Sequence, residues 1–186
     1  KLEIYTTRCD TLYGVTFMVV APEHPILDKY KDQISNWEAV ENYRTESAKK
    51  TEFERTQLVK EKSGVQIDGL AAINPITGKE IPVFISDYVM MGYGTGAIMA
   101  VPAHDQRDYD FAKKFGVPIV QVIKGGDIEK EAYTGDGEMV NSEFLNGYTN
   151  KKDSIKKMLE ELTKQGIGRA GVQFKMKDWA FNRQRY

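Results

Sequence analysis

Cysteine is nearly absent: Cys9 is the only one in 186 residues. One thiol cannot build an internal disulfide framework or a cysteine-cluster zinc site, and it points to a reducing, cytoplasmic setting. Histidine is almost as scarce, with His24 and His104 alone, which makes a histidine-based metal centre a poor hypothesis. Neither sign of charge is in excess: 26 Lys+Arg face 27 Asp+Glu, for a formal net of −1. A domain that grips a long nucleic-acid backbone normally carries a basic excess. Balance argues against that mode and leaves room for contact with a few nucleotides at a strand end. No apolar run approaches membrane-spanning length, and the first residues carry no signal-peptide pattern. The hydrolase motifs GxSxG and HExxH do not occur.

What is present reads as one domain with enough chain to bury a core. Leu2–Thr7 alternates apolar and polar residues and predicts a strand, while Val15–Ala21 (VTFMVVA) predicts a buried one. Between them, Arg8–Gly14 reads as a polar loop ending in glycine. Residues 25–62 read as a helical excursion outside the core, with Asn36 as N-cap and Trp37, Val40, Tyr43 and Ala48 at near-helical spacing. Strands are expected at Gln66–Ile73 and Ile81–Ile85, joined by the turn NPITGK. After a glycine loop at Gly92–Gly96, the pattern predicts strand Ala97–Val101 and helix Gln106–Phe115, stopped by Gly116. Further on it predicts strand Ile119–Ile123, closed by Gly125–Gly126, helix Asp153–Gln165 with Gly166 at C′, and a last strand at Val172–Trp179. Uneven helices among strands indicate the α+β class, with a β-barrel-like core and peripheral helices. Because Lys1 opens directly on a strand-like run and the chain stops at NRQRY, residues 1–186 are expected to be a single domain inserted in a longer polypeptide.

Two polar motifs stand out. Thr6-Thr7-Arg8-Cys9-Asp10-Thr11 follows a predicted strand end, where hydroxyls and turn amides make good donors for a carbonyl, ester or ribose oxygen. It reads equally as a Thr-rich edge entering an Asp turn, with Arg8 and Asp10 as a surface pair. The second motif lies in GTGAIMAVPAHDQRDYDF, Gly94–Phe111, where His104, Asp105, Arg107 and Asp108 crowd the junction of a strand and a helix. Rigid elements on both sides suit such a junction to holding a ligand. Asp105 falls at an N-cap and Asp108 at N3, so both could simply cap the helix, a role worth ~0.5–2 kcal/mol. Alternatively Asp108 receives a cationic group such as an α-ammonium. Asp110 reads as a solvated helix residue. GYGTG at Gly92–Gly96 precedes a strand instead of opening a helix, so dinucleotide and P-loop readings fail on context.

Taken together, the motifs resemble the editing domain of the leucyl-tRNA synthetase family. TTRCDTLYG resembles its threonine-rich segment, MGYGTGAIMAVPAHDQRDYDFA its second signature, and KDWAFNRQRY the strand returning to the catalytic domain. The valyl and isoleucyl relatives share the first segment in variant form, whereas HDQRDY points to the leucyl enzyme. The resemblance implies hydrolysis of the ester of misacylated tRNA-Leu (isoleucyl, norvalyl or methionyl) with leucine excluded. A synthetic pocket separates side chains differing by one methylene by only about 1–3 kcal/mol, a magnitude taken from sibling synthetases, so a second, hydrolytic sieve is needed.

Carried over by position, the resemblance implies that Asp108 holds the substrate α-ammonium and that Thr11 is the steric gate against leucine. Thr6 and Thr7 would line the ester carbonyl and attacking water, with Arg8 and Asp10 framing that loop. Tyr93, Met99, Val101 and His104 would form the opposite wall, with Met99 and Val101 joining Thr11 in setting specificity. Tyr93, His104 and Asp105 would take the terminal adenosine, and Asp105 would also support the helix start. Water would be the nucleophile, with no metal or organic cofactor for editing; ATP and Mg would serve the synthetase's separate catalytic domain. The implied partners are the acceptor end of tRNA-Leu and the rest of the synthetase, in a monomeric cytoplasmic enzyme with no membrane contact. One position departs from the family's motif: Cys9 stands where proline is usual, and cysteine neither fixes φ nor removes a backbone donor. Two other functions remain to be weighed. Cys9 could be a nucleophile with His104 as base, oriented by Asp105 or Asp108, or the chain could be a non-catalytic tRNA-docking module.

Overall fold

The apolar run at Val15–Ala21 supplies the centre of the sheet. In the computed structural model, which describes residues 1–51, 54–55, 63–92 and 94–171, strand β1 (Phe17–Val20) is buried on both faces. That explains a continuous apolar run in place of alternation. Strands β2 (Val65–Ile73), β3 (Glu80–Ile85) and β4 (Ala97–Ala100) join it in the order β2-β3-β1-β4. β1 runs parallel to β3, pairing Met18 with Val83, and antiparallel to β4, pairing Met18 with Met99. The parallel pair needs a long crossover. It is supplied by helices α1 (Ile26–Lys29) and α2 (Trp37–Ala48) followed by β2.

Alternation across the strands divides the core in two. Phe17, Val19, Phe84 and Ala100 pack with Phe111 and Ala112 of α3 (Gln106–Phe115). Phe111 stacks on Phe17 at 5.2 Å and on Phe115 at 4.3 Å between ring centroids. Met18, Val20, Val83 and Ile85 belong instead to a larger cluster with Leu12, Val122, Met139 and, from α4 (Lys151–Lys164), Met158 and Leu162. α3 ends as its sequence dictates: Gly116 adopts a left-handed φ of 67° that costs glycine little. At the end of α4, Gly166 N–H donates to Thr163 O and Ile167 N–H to Leu162 O, both at 3.0 Å, which closes the helix. No helix among the described residues is long and apolar enough to cross a membrane.

The expected β2, turn, β3, β4 and α3 are all present, and the structure revises several other expectations. The sheet is open among the described residues, so "barrel-like" holds only loosely. Leu2–Thr7 forms no strand there; Leu2 and Ile4 pack on the core, but the segment joins no ladder. Ile119–Ile123 is irregular and makes one isolated bridge, Ile123 to Met139. Asn36 sits at the start of α2 without capping it. Its side chain instead donates to Gln66 O at 2.7 Å and accepts from Asp68 N at 3.0 Å, tying α2 to β2. The inward residues of α2 are Val40 and Ser47, with Tyr43 partly buried, while Ala48 is exposed. Tyr93, part of the 25–62 excursion and the expected strand Val172–Trp179 lie outside the described residues.

Candidate functional site

From Cys9 the threonine-rich motif enters a largely buried 3₁₀ turn, Cys9–Gly14, within the stretch expected to be a polar loop ending in glycine. Asp10 is 1% exposed. It survives there because Arg8 grips it through two parallel bonds, Nε to Oδ1 and a terminal nitrogen to Oδ2, both 3.0 Å. Such a fork is the geometry that lets a carboxylate leave water. Arg8 and Asp10 are therefore an internal strut of the turn, where the sequence also allowed a surface pair. Ser154 of α4 adds a weaker contact from Oγ to Asp10 Oδ2 at 3.5 Å. Thr11 is buried and its hydroxyl donates back to Arg8 O at 2.9 Å. Asn74, itself buried in the β2–β3 turn, donates to Leu12 O at 2.9 Å. These bonds hold the turn that proline would otherwise stiffen. Thr6 and Thr7 precede it and are exposed, with Thr6 Oγ1 accepting from Arg8 N at 3.0 Å.

The second motif meets the first through the β1–β4 ladder. Thr16 N–H donates to Ala100 O at 3.3 Å. Gly14 lies so close to the exit of β4 that a methyl group there would sit 3.1 Å from both Val101 Cγ1 and Val122 Cγ2. Met99 and Val101 pack, partly buried, on the same core cluster as Leu12. The proline corner then turns the chain into α3.

Asp105 is the N-cap of that helix, its Oδ1 accepting from Arg107 N at 2.9 Å and Asp108 N at 3.2 Å. Asp108 does something else. Its Oδ2 accepts the Val101 N–H at 2.9 Å and its Oδ1 accepts from the Tyr88 hydroxyl at 3.2 Å. Asp108 shares the inward side of α3 with Phe111 and Ala112, at the i, i+3, i+4 spacing that one helix face requires. Burial is the largest influence on its carboxyl and, joined by the nearby Asp105 charge, raises its pKa to about 7. The Val101 N–H, the Tyr88 hydroxyl and Arg107 oppose that rise. A perturbed pKa of this kind marks Asp108 as a candidate functional group, and in its charged form each oxygen keeps a second lone pair with which to accept a cation. Asp110, by contrast, is exposed and accepts from Gln106 Nε2 at 2.8 Å.

His104 is fully occupied by backbone. Its Nε2 accepts N–H bonds from Val122 and Ile123, each at 3.0 Å, which places the ring proton on Nδ1, donated to Tyr133 O at 2.8 Å. Burial pushes its pKa down. Cys9 is equally unavailable: it is buried, its thiol donates to Ile155 O at 3.6 Å, and burial followed by the Asp10 charge raises its pKa. The cysteine–histidine pairing considered from sequence is thus not assembled. His104 can contribute a ring face to a wall but no free nitrogen. Between the turn and α4, Arg8, Asp10, Ile123, Met139, Tyr148 and Ser154 line a cavity of about 10 Å³, the size of one water.

Comparison with known proteins now settles the family. The model of the leucyl-tRNA synthetase editing domain matches residues 1–163. The chain belongs to that family. The leucine–tRNA ligase of Alkaliphilus oremlandii (strain OhILAs) is 55% identical over 190 residues, covering 100% of this chain and 23% of that ligase. The chain therefore spans about a quarter of this relative's length. Among solved structures, the leucyl-tRNA synthetase of Agrobacterium radiobacter K84, in a ternary complex with tRNA and LeuAMS, superposes with a TM-score of 0.70 at 29% identity. That match covers 96% of this chain and 19% of the synthetase.

Within the editing-domain fold, three residues matter that the sequence did not single out. Tyr88, Asn74 and Ser154 come from separate elements and act on Asp108, Leu12 and Asp10. Each lies far along the chain from its partner, so no local spacing could reveal it. The one usable signal was for Asn74, at the head of NPITGK, since asparagine commonly opens turns.

Proposed function

We propose that this chain hydrolyses the ester joining a misattached amino acid to the terminal adenosine of tRNA-Leu. A water oxygen attacks the acyl carbon, the ester C–O bond breaks, and the amino acid and the free ribose hydroxyl leave. The observation that carries the reading is Asp108, a nearly buried carboxylate held at the junction where the two family motifs meet. An α-ammonium entering beside it meets a charge already stripped of water, where attraction is stronger than in solvent. Holding the ammonium fixes the acyl carbon relative to the exposed Thr6 and Thr7. Thr6 Oγ1 accepts from Arg8 N and keeps its O–H to donate to water or the ester oxygen. Thr11 sits on the buried turn with its hydroxyl bonded back to Arg8 O, a fixed position that supports its motif-based assignment as the steric gate against leucine. Met99 and Val101 contribute to that wall and His104 a ring face. Tyr93 is assigned to the adenosine by its motif alone. Isoleucine, norvaline and methionine are the proposed acyl groups. The setting is the cytoplasm, within a synthetase that uses ATP and Mg elsewhere.

The deciding experiment measures deacylation of isoleucyl-, norvalyl- and leucyl-tRNA-Leu by the 186-residue chain and by a full-length leucine–tRNA ligase carrying it. Hydrolysis of the first two, with leucine spared and with loss on Asp108→Ala, is expected. Unchanged rates with Asp108→Ala would remove the ammonium site. Tight tRNA binding without hydrolysis by either protein would favour the docking-module reading instead.

A further inference from the structure

The turn Ser86–Val89, which carries Tyr88, is held by the helical excursion through a network of charged and polar groups. Asp87 is 2% exposed. Lys50 Nζ lies 2.6 Å from its Oδ2, and Ser63 Oγ donates to its Oδ1 at 3.3 Å. The Tyr43 hydroxyl oxygen accepts the Asp87 N–H at 3.1 Å and lies 2.8 Å from Ser63 Oγ. Arg55, whose side chain is 9% exposed, donates from Nε to Asp87 O at 2.8 Å and from a terminal nitrogen to Val89 O at 3.0 Å. Its other terminal nitrogen pairs with Glu23. Residues 87 and 89 on either side of Tyr88 are thus both gripped by their carbonyl oxygens, and Asp87 also by its carboxylate. Burying charges is costly in general, and only good geometry and satisfied hydrogen bonds offset it. A network of this kind therefore leaves the turn little freedom.

Between those anchors the Tyr88 ring sits 5.9 Å from Phe111, and its hydroxyl reaches Asp108 Oδ1 at 3.2 Å. The other groups facing that carboxylate are Asp105 and Arg107 from α3 and the Val101 N–H from the exit of β4. We propose that Tyr88 is a positioning residue for Asp108, and that Lys50, Asp87 and Arg55 set where Tyr88 stands. The helical excursion, remote from the ester, thereby controls how ready the ammonium-binding carboxylate is. The proposal rests on the hydrolytic reading of Asp108. Physically, a hydroxyl donating to a carboxylate favours its charged form, which is the form that binds a cation.

The test is Tyr88→Phe, which keeps the ring and removes the hydroxyl. Two quantities are read: the carbon-13 NMR titration of the Asp108 carboxyl in the 186-residue chain, and kcat/KM for deacylation from about pH 5.5 to about 9. The Asp108 midpoint should move to higher pH, with about a three- to tenfold loss of kcat/KM near neutrality that disappears at the alkaline end. A merely structural role would lower the rate equally at every pH. The paired variant Lys50→Met/Asp87→Asn, which removes both charges together, should displace the midpoint in the same direction. It should add nothing when combined with Tyr88→Phe. An Asp108 titration unchanged by Tyr88→Phe, or displacements that add, would overturn the proposal. The NMR measurement needs no substrate. If Asp108→Ala leaves deacylation intact while the titration responds to Tyr88, the hydrolytic reading falls and the link survives. If deacylation needs Asp108 but the titration ignores Tyr88, the link falls alone.

Discussion

Asp108→Asn should make the protein more stable and less active, and the gain should depend on pH. The carboxyl is 7% exposed, and burial, then the Asp105 charge, raises its pKa from an ordinary 3.8 to about 7. Between those two values the folded protein keeps a proton that the unfolded chain has released. Stability then falls as pH rises through that window and levels off above about 7. At about 1.4 kcal/mol per pKa unit, the charged carboxylate costs the fold roughly 4 kcal/mol once the window is passed. Asparagine removes the charge, keeps an acceptor for the Val101 N–H, and can donate to the Tyr88 hydroxyl oxygen. The two proteins should match near pH 4, and the variant should lead by up to about 4 kcal/mol near pH 8. For a chain of this size that is roughly 8–16 °C in Tm. Urea unfolding followed by far-UV circular dichroism at several pH values, with m held constant, measures it. Deacylation of mischarged tRNA-Leu should meanwhile vanish. Stability curves that run parallel from acid to alkali, or a variant weaker near pH 8, would refute the electrostatic argument.

Arg8→Ala strands a buried Asp10 without its fork and should cost about 3–5 kcal/mol in urea unfolding, whereas Arg8→Met with Asp10→Asn should cost far less. Thr11→Ala loses the bond to Arg8 O, about 1 kcal/mol, and should admit leucyl-tRNA-Leu to hydrolysis; if leucine stays spared, Thr11 is not the gate. Cys9→Ala should retain deacylation, and the native thiol should resist Ellman's reagent until the protein unfolds, because it is buried and hard to ionise. His104, its pKa lowered mainly by burial, contributes stability that is present above its ordinary 6.5 and lost as pH falls through its folded value. His104→Asn should flatten that acid-side loss in thermal melts.

The legibility of this chain follows the range of the interactions involved. α3 was readable residue by residue because capping, periodicity and a glycine stop are all local: Asp105, Phe111 and Gly116 each act within one turn. β1 was readable because a strand buried on both faces needs an unbroken apolar run. The N-terminal segment and Ile119–Ile123 misled for the converse reason. Their patterns matched strands, yet pairing depends on a neighbour that the pattern does not contain, and among the described residues only Ile123 finds one. Asn36 has the chemistry of a cap, but β2 lies close enough to take both ends of its side chain.

The same division runs through the site. By itself the sequence determined the family, since residue identity in TTRCDT and HDQRDY is what resemblance reads, and it determined Asp105 as a cap. Only the tertiary structure decided that Arg8 and Asp10 form an internal strut, that His104 and Cys9 are spent on backbone, and that Asp108 is a buried carboxylate bonded to Val101 and Tyr88. Those outcomes depend on desolvation and on partners brought from distant parts of the chain. A carboxylate's readiness to take or release charge is set by what surrounds it in space, and that becomes defined only when the sheet, α3 and the Tyr88 turn have closed around it.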